Sequence, residues 1–82
     1  MIKHPTKKEI SNQHQRRLQQ ISDMLREIRL SQGLQQNDLH EFGLSRRQIQ
    51  EGEYSKNISL VKLFALIDCY NYTIEEFFQG IE

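Results

Sequence analysis

The sequence holds one cysteine, one proline, four glycines and no tryptophan in 82 residues, and each scarcity closes off a class of structure. A single thiol, Cys69, cannot close an intrachain disulfide, so the core alone must hold the fold. Cys69 and the three histidines His4, His14 and His40 do not stand at metal-ligand spacings, and neither a metal nor a cofactor is expected. No apolar run reaches 18 residues, which excludes a membrane-spanning helix. The polar start Met1-Ile2-Lys3-His4-Pro5-Thr6-Lys7-Lys8 lacks the apolar stretch of a signal peptide. With the lone thiol, these features predict a protein of the reducing cytoplasm. No glycine-rich phosphate loop, nucleophile elbow or paired carboxylate site can be read, so an enzyme is not expected.

Valine and threonine are also sparse, which argues against a β-rich fold, while ten glutamines join Leu, Glu, Arg and Lys as good helix formers. The fold class is expected to be all-α, and the length allows one compact domain with a single core. Formal net charge is zero, which argues against holding a polyanion by bulk charge alone. The distribution is uneven. Residues 1–50 carry nine Lys or Arg against five Asp or Glu, and residues 51–82 carry two against six. A basic face can therefore oppose an acidic one, although ordinary solvated helix faces produce the same imbalance.

One helix-start pattern recurs: a capping residue with an apolar residue just before it and another four positions after it, the hydrophobic staple. The pairs are Leu34 with Leu39 around Gln35, Leu44 with Ile49 around Ser45, Ile58 with Leu63 around Ser59, and Tyr72 with Phe77 around Thr73. Ser45-Arg46-Arg47-Gln48 and Thr73-Ile74-Glu75-Glu76 also read as capping boxes. Gln35 is the weak member, because Gln is not a favoured N-cap. Ahead of them Leu18, Ile21, Leu25 and Ile28 alternate spacings of three and four, with Met24 beside them, which predicts a long first helix ending near Gly33. Thr6-Lys7-Lys8-Glu9 is a further capping box, and Ile10, His14 and Arg17 continue the same face. Residues 1–15 are thus expected to be an arm or a helical extension of a domain covering 16–82. Five helices result, near 14–32, 36–42, 46–53, 60–70 and 74–80. The fourth is apolar on most sides and is expected to run through the core, with Cys69 as a buried small hydrophobe.

Two short helices joined by a turn at Gly43 match the helix-turn-helix motif. In order, the chain presents Leu25-Arg26-Glu27-Ile28-Arg29, Gly33-Leu34, Gln36-Asn37-Asp38-Leu39, Gly43-Leu44-Ser45-Arg46, Ile49, Glu53, Ser59-Leu60 and Thr73-Ile74-Glu75-Glu76-Phe77-Phe78. Over residues 21–78 it resembles the phage-repressor and Cro family, also called the XRE family. The resemblance implies a compact five-helix repressor-like bundle and a sequence-specific transcriptional regulator, a repressor, that binds a roughly palindromic double-stranded DNA operator as a homodimer. It implies a bacterial cytoplasmic location, on the nucleoid when bound.

Three positions depart from the family pattern. His40 stands where a small residue is usual, and the segment before Gly43 is one residue short, which predicts looser packing of the helix pair. Gly52 replaces a large aliphatic residue, at a cost of about 1 kcal/mol in a helix interior. A lost core contact and an early end to the recognition helix are expected there. Ser55 stands where the family has glycine, in a loop that is also one residue short.

On this resemblance Ser45, Arg46, Arg47, Gln48 and Gln50 face bases. Arg can bond guanine O6 and N7, and Gln can bond adenine N6 and N7, each through two parallel contacts. Glu51 can accept from a cytosine amino group or be paired on the surface. Gln36, Asn37, Lys56 and Asn57 are assigned to phosphates, and Arg29 with Glu53 to an ion pair between the first and third helices. Two other uses of the fold stay open: an antitoxin that binds a partner toxin and represses its own operon, and a relic that makes protein contacts only.

Overall fold

The computed structural model describes residues 2–54 and 58–82, which form helices and the turns between them, with no strand among them. Helix α1 spans Lys7–Ser31, a 3-10 helix spans Gln36–Phe42, α2 spans Arg46–Tyr54, α3 spans Leu60–Cys69 and α4 spans Ile74–Phe78. None of the described helices is long and apolar enough to cross a membrane.

The first helix begins at Lys7, well before residue 14, because Thr6 caps it: the Glu9 N–H donates to the Thr6 hydroxyl at 3.2 Å. The extension and the amphipathic stretch are therefore one helix of 25 residues. It ends in a Schellman motif, with Gly33 left-handed at φ 69° and the Leu34 N–H donating to the Arg29 carbonyl at 3.1 Å. Helix α3 ends the same way on Asn71, at φ 61°, with the Tyr72 N–H bonded to the Ile67 carbonyl.

Residues 36–42 wind as a 3-10 helix, not an α-helix. The tighter coil rises about 2.0 Å per residue against about 1.5 Å, so these seven residues reach further toward the turn than an α-helix of the same length would. Its weak cap is completed from the other side, since the Asp38 carboxylate accepts the Gln35 N–H at 2.7 Å. Gly43 then turns the chain at φ 77°, a left-handed conformation that a side chain would strain.

The core gathers Leu25 and Ile28 of α1, Leu39, Leu44, Ile49 of α2, Leu63, Leu66 and Ile67 of α3, then Tyr70 and Phe77. Each staple supplies its second apolar residue to this cluster, so the local start signals and the tertiary core use the same side chains. Helix α2 runs on through Gly52 to Tyr54 and does not end early. Nor does Gly52 lose a core contact. A Cβ there would lie 2.5 Å from Leu66 Cδ1, so the missing side chain is what lets α3 close on α2. Helix α3 departs from expectation as well: it buries only one face, and Leu60, Val61 and Phe64 are exposed at 65%, 78% and 41%. Cys69 is half-buried against the core, and burial pushes its thiol upward in pKa.

Tyr70 is buried with its hydroxyl lacking a hydrogen-bond partner among the described residues. Its pKa is driven far up, first by burial and then by the nearby Glu53 carboxylate. An unsatisfied buried hydroxyl costs about 1–3 kcal/mol, and phenylalanine has nearly the same shape without it. Tyr70→Phe is therefore expected to raise stability by roughly 1 kcal/mol in urea unfolding. A loss of stability would show that the hydroxyl is satisfied in solution.

Candidate nucleic-acid interface

The 3-10 helix and α2 form a helix pair bent at Gly43, and the pair is pinned to α1 by one buried interaction. Arg29 Nε lies 2.7 Å from Glu53 Oε2 and Arg29 Nη2 lies 3.0 Å from Glu53 Oε1, a two-pronged contact between planar groups. The third Arg29 donor, Nη1, bonds the Leu34 carbonyl at 2.9 Å, where the chain leaves α1. Both side chains are nearly closed to solvent, and the Glu53 hydrogen bond holds the Arg29 pKa above its ordinary value against the opposing effect of burial. One guanidinium thus fixes the C-terminal half of α2 and the entry to the 3-10 helix together.

Beside that anchor lies an open, polar cleft of about 420 Å³ lined by Arg29, Gln35, Gln36, Asn37, Arg46 and Tyr54. It brings together three of the residues that the sequence assigns to DNA: Gln36 and Asn37 from the start of the 3-10 helix and Arg46 from the start of α2. Gln50 is exposed one turn beyond Arg46, on the same stripe of α2. Lys56 and Asn57 lie outside the described residues, as does Ser55.

The first turn of α2 is held by the capping box expected there. The Gln48 N–H donates to the Ser45 hydroxyl at 3.2 Å, and the Ser45 N–H donates to Gln48 Oε1 at 2.8 Å. Gln48 Oε1 is thus engaged by the cap while its amide donors are not, so a two-point contact with adenine would have to share that oxygen. Arg46 makes no ion pair or hydrogen bond among the described residues. Arg47 is almost wholly exposed and touches Glu51 at 3.4 Å, one turn along. Glu51 is held mainly from α3, by Lys62 Nζ at 2.7 Å, and that hydrogen bond with the facing cations keeps its carboxyl below the ordinary range. Glu51 is thus a paired surface acid that ties α2 to α3.

Two residues of this face are not singled out by the sequence. Tyr54 falls two turns after Arg46 on the stripe that also carries Gln50, and 61% of it is exposed. The guanidinium of Arg26, on α1, sits over its ring at 5.5 Å. The i, i+4, i+8 spacing of Arg46, Gln50 and Tyr54 was the available signal. Among the described residues no three His, Cys, Asp or Glu side chains come together as a metal site. Compared with protein-family models, curated proteins and solved structures, the chain finds no match in any of the three.

Proposed function

We propose that this chain is a sequence-specific DNA-binding transcriptional regulator of the phage-repressor and Cro-like type, a repressor that binds a roughly palindromic operator as a homodimer. The observation that carries the reading is the cleft in which the first residues of two helices joined at a left-handed glycine face one space. Gln36 and Asn37 line it together with Arg46. Amides at the start of the first helix suit phosphate oxygens, and an arginine at the start of the second, unpaired among the described residues, suits a guanine edge. The buried Arg29–Glu53 pair supports the same reading, because base reading needs a helix held at one angle. A single module reads few base pairs, so two copies on two half-sites are required for a selective operator.

Selecting binding sites from a random duplex pool with the purified protein tests this directly. Arg46→Ala is expected to weaken binding to the selected site by about 1–3 kcal/mol and to relax preference at one position. Arg47→Ala is expected to do the same and to free Glu51 from its weaker partner. Gln36→Ala should weaken all sequences alike. If both arginine variants bind the selected site as tightly as the parent does, α2 is not the reading helix.

A further inference from the structure

Three linked side chains stand beside the cleft with no part in base reading. Asp23 Oδ1 accepts from Arg26 Nη2 at 2.8 Å and from Gln19 Nε2 at 3.0 Å, which holds the Arg26 guanidinium against the surface of α1. The same guanidinium lies 5.5 Å over the Tyr54 ring. That cation–π contact orders two side chains that would otherwise sample many rotamers, and it joins α1 to the last turn of α2.

Both partners keep donors to spare. The Tyr54 hydroxyl forms no hydrogen bond among the described residues, although its ring is held. Of the Arg26 donors only Nη2 is engaged among the described residues, so Nε and Nη1 are open. A hydroxyl and a guanidinium side by side match an anion with several acceptor oxygens, whereas a base edge mixes donors with acceptors.

Their place relative to Arg46 fits a contact to the DNA backbone. Tyr54 lines the cleft with Gln36, Asn37 and Arg46, and it follows Arg46 by eight residues on one stripe, about 12 Å along the helix. A helix in the major groove turns its first residues to base edges and can bring its far end to the sugar–phosphate wall. The groove is itself about 12 Å wide, so a residue two turns beyond a base contact reaches that wall. Phosphate oxygens there take donors from arginine and tyrosine alike.

Resting on the reading in which α2 enters the major groove, we propose that Tyr54 and Arg26 together grip one backbone phosphate and so fix how deeply Arg46 meets the bases. In that reading Gln36 and Asn37 hold the backbone at the start of the 3-10 helix, and this pair holds it at the far end of α2. Contacts at both ends leave α2 one angle in the groove.

Binding of the full chain to its selected duplex and to an unrelated one, each over a salt series, tests this. Tyr54→Phe removes the hydroxyl and keeps the ring under Arg26, and it is expected to weaken both complexes about tenfold with the salt slope unchanged. Arg26→Ala is expected to weaken both as well and to reduce the slope of log affinity against log salt by about one. Because the two groups share one phosphate, the double variant should lose less than the product of the two factors. A scan of single methylphosphonate substitutions along the selected duplex should find one position that weakens the parent and leaves the double variant unaffected. Neither residue belongs to the core, so the melting curves of the variants should match that of the parent. Single variants that bind both duplexes as tightly as the parent overturn the proposal, and so does a double variant sensitive to methylphosphonate wherever the parent is. If Arg46→Ala still weakens binding in that case, the reading of α2 stands without the grip. A Tyr54→Phe protein with altered base preference overturns the proposal in favour of a base contact. A parent that selects no sequence overturns the reading of α2 and the grip with it.

Discussion

Replacing Glu53 by alanine is expected to cost about 3–5 kcal/mol, because it leaves the Arg29 guanidinium buried and without its partner. For a domain of this size that corresponds to a fall in Tm of roughly 15–30 °C. The cost does not mean that the pair is worth so much in itself. Arg29 and Glu53 both gave up water on folding, and their attraction largely offsets that desolvation. Exchanging both at once, Arg29→Met with Glu53→Leu, is therefore expected to recover most of the stability lost by the single change. It should not recover the selective DNA binding proposed above, because the Arg29 bond to the Leu34 carbonyl and the angular constraint on α2 go with it. Urea unfolding of the parent, the single variant and the double variant separates these effects. An alanine variant as stable as the parent would mean that the pair opens to solvent.

Gly52→Leu, which installs the side chain that the family resemblance suggests, is expected to destabilise by about 1–3 kcal/mol. Leucine would gain about 1 kcal/mol in helix propensity over glycine. Against that stand three side chains around the missing Cβ: Leu66 Cδ1 at 2.5 Å, Leu25 Cδ1 at 3.2 Å and Ile58 Cδ1 at 3.3 Å. Leu25 and Leu66 are core residues with almost no exposure, so neither can swing aside without emptying its own place. Space can be returned deliberately. Gly52→Ala alone should destabilise, and Gly52→Ala with Leu66→Val should lose less than the sum of the two single changes. Thermal melts of the four proteins form the cycle, and strict additivity would show that the two positions do not touch.

The helix starts are legible in the sequence because caps and staples are made by residues five positions apart or fewer. Ser45 with Gln48 and Thr73 with Glu76 form as their spacing suggests. Arg29 and Glu53 are 24 residues apart, and only the family resemblance suggests that they meet. Gly52 misleads for a related reason: a residue with no side chain says nothing about which neighbours fill its space. Leu60, Val61 and Phe64 mislead because a helix apolar on nearly every side carries no periodic mark of which face is covered. The 3-10 winding of Gln36–Phe42 is not readable either, because no local pattern in these seven residues separates it from α winding. In the cleft, Arg46, Gln36 and Asn37 are readable from their motif positions, whereas Tyr54 belongs to no motif and only its i+8 spacing from Arg46 marks it.

Helix α1 contains neither proline nor glycine between Lys7 and Ser31, and it is continuous from its free tip to the turn that carries Arg29. Such an element behaves as a screw thread, with no slack between its ends. Each residue inserted in its middle would turn the tip by about 100° and advance it by about 1.5 Å relative to the cleft. The phase between the free tip and the cleft is then set by residue count: half a turn of added chain reverses it, and roughly two whole turns nearly restore it.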